Sequence, residues 1–323
     1  MATRPSIAWQ ASHEQFPPEE LVRFAVLAER CGFDAVHSSD HLVPWSERQG
    51  HSGFSFAWLG AAMQATQLPF GVICAAGYRY HPAIVAQAAA TLARLFPGRF
   101  TLSLGSGEAL NEHITGEPWP SKNERNARLH ECADVVRRLL AGEHVDHRGR
   151  VVVADVKLHS LPDAALPLFA AALSPQTAKE VAVWADGLLT LLGPDLPATL
   201  QAFRENGGAG KPVHVKVDVC YGRDLAAAKQ DAWQQWRTVV LPREELASAR
   251  SVAELEARAR AVTPEQVAEK VIISAEPARF AQEAARLAAM DVSSVIFHQV
   301  GRDQETFIRD CAEALIAVNR MLT

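Results

Sequence analysis

SIAWQASHEQFPPEE, residues Ser6–Glu20, is a short apolar strand that runs straight into a polar turn containing no glycine. In a doubly wound open sheet the first strand enters a glycine-rich turn that wraps a phosphate. Its absence favours the other parallel α/β architecture, a (β/α)8 TIM barrel. The chain outward from this stretch alternates as a barrel requires. Further strands are expected at Ala35–Ser38, Pro69–Cys74, Arg99–Leu104, Leu166–Ala171, Gly187–Thr190, Val213–Cys220 and Val292–Phe297. Helices are expected at Glu19–Cys31, Phe54–Thr66, Ala83–Leu95 behind Pro82, Pro175–Ala185, Ala198–Asn206 and from Asp303 onward. Ser121-x-x-Glu124 is a capping box that opens another helix reaching Ala141. Two segments exceed what a barrel needs. His144–Pro162 reads as a hairpin insertion before the fifth strand. Val239–Val262 reads as a helical insertion before the eighth, either a cover over one barrel mouth or a surface excursion.

Composition sets the outer bounds. With 323 residues, 48% of them hydrophobic, the chain can bury a large core, and one domain over residues 1–323 accounts for it. A net charge of −5 offers no basic excess for phosphate backbones, which argues against nucleic acid as a partner. No apolar run reaches membrane-spanning length, and MATRPSIAWQ lacks a secretory core, so no membrane association and a cytoplasmic location are expected. Cys31, Cys74, Cys132, Cys220 and Cys311 form no CxxC pair and read as reduced, buried thiols.

Active sites of such barrels lie at the carboxyl ends of the strands. Those ends carry Glu14, then Asp40, His41 and Trp45, then Cys74–Gly77, then Gly105–Glu108 with Asn111, then Leu173-Ser174, and finally His298. Plainer readings stand beside the chemical ones. His41 can be a turn residue with Asp40 orienting its ring, Trp45 can be a packing residue, Glu108 can cap the next segment, and His81 can head a helix. His37-x-x-x-His41 is not a metal pair, because His37 falls inside a strand pattern. A metal-dependent hydrolase built on Asp40, His41, His81, Glu108 and His298 is nonetheless a competing function.

Three motifs carry a resemblance: SSDHLVPW (Ser38–Trp45), RYHPAIVAQAAATLARLFPGR (Arg79–Arg99) and GSGEALNEHITGEPWPSKNERNARL (Gly105–Leu129). The sequence resembles the bacterial luciferase-like flavin oxidoreductases, and within them the branch of the coenzyme F420-dependent glucose-6-phosphate dehydrogenases. The likeness runs from Ile7 to the closing FHQVGRDQETF. It implies a luciferase-like barrel, a flavin-type ring in the mouth, a small-molecule substrate and a homodimer. It also implies a cis peptide at Val72-Ile73, with Cys74 and Ala75 beside it. Gly107 and Asn111 correspond to pocket residues, Ala171 and Ala172 to the pair near the cofactor phosphate. His41, Trp45 and Glu108 correspond to the reacting trio, with Asp40 behind His41; Glu14 and His298 fall on the substrate side.

The departures count too. The lysines that the sugar-phosphate enzymes carry are Pro194 and Glu269 here, and their glycine pair after the fifth strand is Leu173-Ser174. SERQGHSGF after the tryptophan resembles a side branch expected to use FMN. The sequence therefore leads to an FMN-dependent reductase, or a monooxygenase fed by a separate flavin reductase. The alternative is hydride transfer with coenzyme F420, an 8-hydroxy-5-deazaflavin, and no metal is expected.

Overall fold

A computed structural model describes residues 4–321. Eleven strands are present among them: β1 Ser6–Ala11, β2 Ala35–Ser39, β3 Phe70–Ala75, β4 Phe100–Gly105, β5 Val145–Arg148, β6 Val152–Val156, β7 Leu168–Ala171, β8 Gly187–Leu191, β9 Val213–Tyr221, β10 Ile272–Ser274 and β11 Ser294–Gln299. Eight of them form a closed parallel barrel in the order β1, β2, β3, β4, β7, β8, β9, β11, the last pairing back onto β1. The short β10 lies along the upper end of β9.

Strand alternation separates two interiors. On β9, Val213, Val215, Val217 and Val219 face the surrounding helices and are at most 1% exposed. Between them His214, Lys216 and Asp218 face into the barrel, where His214 meets the Phe169 ring of β7 at 4.7 Å and Lys216 bonds Asp218. Two glycines make room for rings inside. A Cβ on Gly187 would come within 2.4 Å of Phe169, and one on Gly71 within 2.6 Å of His37. His37 itself lies within β2 as expected and is buried.

The hairpin is β5 against β6, antiparallel. It is tied to the barrel by His81, whose Nε2 lies 2.8 Å from the Val152 carbonyl while its Nδ1 caps the helix Pro82–Leu95 through Ala83 N–H. The insertion after β9 resolves in favour of a cover. Its helices Arg243–Ser248 and Val252–Arg258 press Ala249 and Leu255 onto Leu110, beside Val43 and Trp45. Ser46 Oγ donates to Glu256 at 2.7 Å, and Arg243 donates to the Leu173 carbonyl across the mouth. Among the described residues no helix is long and apolar enough to cross a membrane.

Three sequence expectations are corrected here. The eighth barrel strand is Ser294–Gln299, so His298 lies inside β11 and not after it; polar residues end a strand only when its face meets water, and this face meets the barrel interior. The peptide bonds of the described residues are all trans, including Val72-Ile73, whose strand keeps regular register with β2 and β4. Finally, Val72 and Cys74 point outward into the main core, leaving Ile73 and Ala75 on the inner face.

Candidate active site

The ends of β1 and β2 build the centre of the site. Glu14 and His41 stand in loops that follow adjacent strands, and their Oε1 and Nδ1 atoms are in direct contact. Glu14 Oε2 also accepts from Ser12 Oγ at 2.9 Å, so this carboxylate is 3% exposed yet fully engaged. Burial alone would push the Glu14 carboxyl up, but the imidazole outweighs it and holds the group well below the usual carboxylate range. Burial alone would likewise lower His41; the carboxylates of Glu14 and then Glu108 outweigh it, and the net direction is up. Glu14 therefore orients His41 and strengthens its hold on a proton.

That partnership corrects the expected role of Asp40. Its carboxylate is taken by Arg79, whose Nη2 is 2.8 Å away, and Tyr80 Oη donates to it over 3.4 Å. Arg79 Nε reaches Glu112 at 3.0 Å. A single guanidinium thus holds two buried carboxyl groups, and it braces the β2, β3 and β4 loops below the reacting residues. Arg79 and Glu112 were not singled out from the sequence, since their spacing shows nothing until the barrel brings the two loops together.

Around this centre lie atoms with unmet bonding capacity. Trp45 packs edge-on to His41 with ring centres 5.2 Å apart, and its Nε1–H is buried without a partner. Glu108 Oε2 is buried and unpartnered too. Burial raises the Glu108 carboxyl; His41 opposes this, while Glu112 and Glu14 add to it. The mouth thus sets a carboxylate that keeps its charge, Glu14, near a carboxyl that favours its proton, Glu108.

The wall opposite is made of small residues. Gly107 adopts φ +74°, and a Cβ there would meet Glu112 Cγ at 3.1 Å and Ala75 Cβ at 3.3 Å. A Cβ on Gly105 would rest in ordinary contact with Ile73 and Ala171, at 3.6 and 3.8 Å. A flat ring can approach this backbone closely, and the orphaned groups of Trp45 and Glu108 are the polar atoms a ring–substrate pair can satisfy. The residues fit a flavin-type group.

Other expected pocket residues are committed elsewhere. Asn111 Oδ1 accepts from Leu42 N–H at 2.8 Å and so fixes the β2 loop. Ser174 caps the helix Pro175–Val181, accepting from Thr177 N–H and donating to Thr177 Oγ1 at 3.1 Å. Its hydroxyl is thereby engaged by the helix cap. Ala172 is buried, whereas Leu173 is 40% exposed at the rim. His298 joins Asp218 on the neighbouring strand β9. Of the five residues weighed as metal ligands, Asp40, His41, His81 and His298 are held by separate partners, and no group of three or more metal-binding side chains occurs among the described residues.

Comparison with known proteins agrees with this geometry. Residues 3–289 match the family described as luciferase-like monooxygenase. The F420-dependent glucose-6-phosphate dehydrogenase of Beutenbergia cavernae is 34% identical over 323 residues, covering 96% of each chain. That of Rhodococcus erythropolis is 34% identical over 98% of this chain and 100% of its own. Among solved structures, an F420-dependent secondary alcohol dehydrogenase in complex with an F420–acetone adduct superposes with TM-score 0.90 at 27% identity, covering 98% of this chain and 99% of that one. With a family match across most of its length and these full-length relatives, the chain belongs to the bacterial luciferase-like flavin and deazaflavin oxidoreductases, close to the F420-dependent glucose-6-phosphate dehydrogenase branch, and is an enzyme of that class acting on a small organic substrate.

Proposed function

We propose that the protein is a coenzyme F420-dependent dehydrogenase or reductase that interconverts an alcohol and its carbonyl compound. The observation that carries this reading is the pairing of opposite proton preferences in one mouth, a charged Glu14 on His41 and a proton-retaining Glu108 nearby. When bound, the deazaflavin supplies hydride acceptance and return. His41, oriented by Glu14 through Nδ1, takes the hydroxyl proton of the substrate on its other nitrogen, Nε2. Trp45 Nε1–H donates to the same oxygen, which keeps the hydroxyl directed at the imidazole. Glu108 holds its proton on a buried carboxyl and can deliver it where negative charge accumulates. The cover over the mouth excludes water from this exchange.

This reverses the preference for FMN drawn from the sequence. That preference rested on the SERQGHSGF stretch and the altered Leu173-Ser174 turn, and Ser174 is occupied by its helix cap. The F420-dependent relatives support the deazaflavin instead. Fluorescence titration with each cofactor tests the choice: coenzyme F420 is expected to bind more tightly than FMN, and equal or tighter FMN binding would refute it.

Glucose 6-phosphate is not expected to be a good substrate. Pro194 brings no cation, and Glu269 is an exposed carboxylate. Steady-state turnover of that ester at a rate comparable to an unphosphorylated alcohol would show the opposite.

A further inference from the structure

Beyond the Glu14–His41 contact lies a second polar group that the proposed hydride transfer leaves unused. Lys216 and Asp218 occupy alternate positions of β9, and His298 stands opposite Asp218 in the register of β11. Lys216 Nζ donates to Asp218 Oδ1 at 2.6 Å. His298 Nδ1 lies 2.9 Å from that same oxygen and 3.1 Å from Nζ. Trp236 Nε1 donates to Asp218 Oδ2 at 3.2 Å, and its ring meets the imidazole edge-on with centres 4.6 Å apart. Both carboxylate oxygens are satisfied, and the imidazole is fixed in orientation. One atom is left over. His298 Nε2 belongs to a residue 3% exposed and has no partner. Trp236 in turn contacts Trp45, their centres 6.5 Å apart, and His298 feels the charge of Glu14. Trp236 thus links the His298 ring to the Trp45 side of the reacting centre.

We propose that His298 Nε2 hydrogen-bonds a second substrate oxygen, a hydroxyl next to the reacting one, and that the substrate is an uncharged vicinal diol or polyol. The inference rests on the alcohol-oxidation reading above and refines its substrate class. A buried imidazole nitrogen left unbonded is costly, so the site requires a polar partner. A hydroxyl both donates and accepts, so it completes Nε2 in either ring tautomer, which a carbonyl oxygen cannot do. Charge balance argues against an anion. Asp218 neutralises Lys216 and the Glu14 carboxylate lies against His41, so the groups around His298 offer no spare cation to a phosphate or carboxylate. Lys216 and Asp218 are positioning residues that act through His298.

The test compares cyclohexanol with cis-cyclohexane-1,2-diol on the F420-loaded enzyme. The wild-type protein should favour the diol by about tenfold in kcat/KM, the worth of one good hydrogen bond. In His298→Leu that ratio should fall to about one, and His298→Gln, whose amide can also donate and accept, should restore part of it. Circular dichroism verifies that each variant is folded. The same two compounds are also titrated against the protein by tryptophan fluorescence, to which Trp45 and Trp236 contribute, without any coenzyme. Equal kcat/KM for both compounds in the wild type, or an unchanged ratio in both variants, overturns the inference and leaves the dehydrogenase reading intact. Diol-selective binding that disappears in His298→Leu, with no turnover of either compound, supports the inference while defeating the dehydrogenase reading. Absence of diol-selective binding and of turnover defeats both.

Discussion

His41→Ala is expected to lower the single-turnover rate by about 10²–10⁴-fold, the usual worth of a positioned acid–base group, while coenzyme affinity changes little. The substitution also strips Glu14 of its ion partner, and a carboxylate 3% exposed cannot keep its charge alone. The double variant His41→Ala/Glu14→Gln removes that stranded charge, so it should regain stability without regaining rate. Glu14→Gln by itself supplies the pH signature. Alcohol oxidation needs the unprotonated imidazole, so the rate rises as pH climbs through the His41 pKa, which the two carboxylates now hold up. Without Glu14 that inflection moves to lower pH. A rate that falls only in step with coenzyme affinity, or one that barely changes, would reduce His41 to a residue that shapes the pocket.

Mild acid should destabilise the fold more steeply than a barrel of this composition would suggest. Burial lowers His13 to about 4 and His214 to about 4. Burial, followed by the charges of His214 and Lys216, takes His37 to about 3. Unfolded, each imidazole titrates near ~6.5. Their neutral burial is fully accommodated above that pH. Below it the unfolded chain binds protons the folded one refuses, and stability declines until the folded pKa values are reached near 4 and 3. The slope is about 1.4 kcal/mol per group per pH unit. Glu108 and Glu112, raised chiefly by burial, act with the opposite sign because the folded state takes up their protons first. Urea denaturation at successive pH values between 7 and 4.5 checks the net effect, and His214→Phe, which keeps an aromatic ring against Phe169, should flatten the curve. A flat stability profile over that interval would mean that the barrel admits charge and water at these positions.

The barrel was legible because its strands are covered on both faces and read as continuous apolar runs between glycine, proline and capping signals. The end of β11 was not. His298 and Gln299 are polar, which in a strand touching water marks the exit; here His298 is satisfied by Asp218 and Gln299 by the Tyr221 backbone, both on the neighbouring strand β9. VKVDV in β9 held a usable signal, since charges alternating with valines have nowhere to point except the interior. The converging polar residues of β1, β2 and β4 were also visible as strand ends. Their pairing was not: Asp40 precedes His41 in the chain, yet Glu14, from another loop, holds the ring. Local sequence cannot rank a neighbour one residue away against one that closure of the barrel delivers. The cover was ambiguous because its anchors, Leu241, Leu246, Ala249, Val252 and Leu255, are spread over two short helices and the turns before and between them, and come together only when packed on Leu110.

That cover also separates inheritance of chemistry from inheritance of taste. It leans on the loop bearing Trp45, yet it contributes neither Glu14, His41 nor Glu108, all of which descend from the first four barrel strands. Exchange of residues 237–262 between related chains would redraw the chamber in front of the reacting hydroxyl without disturbing proton traffic. A lineage could thus change diet by grafting a single contiguous stretch, and a laboratory library confined to it would sample new substrates on an intact engine.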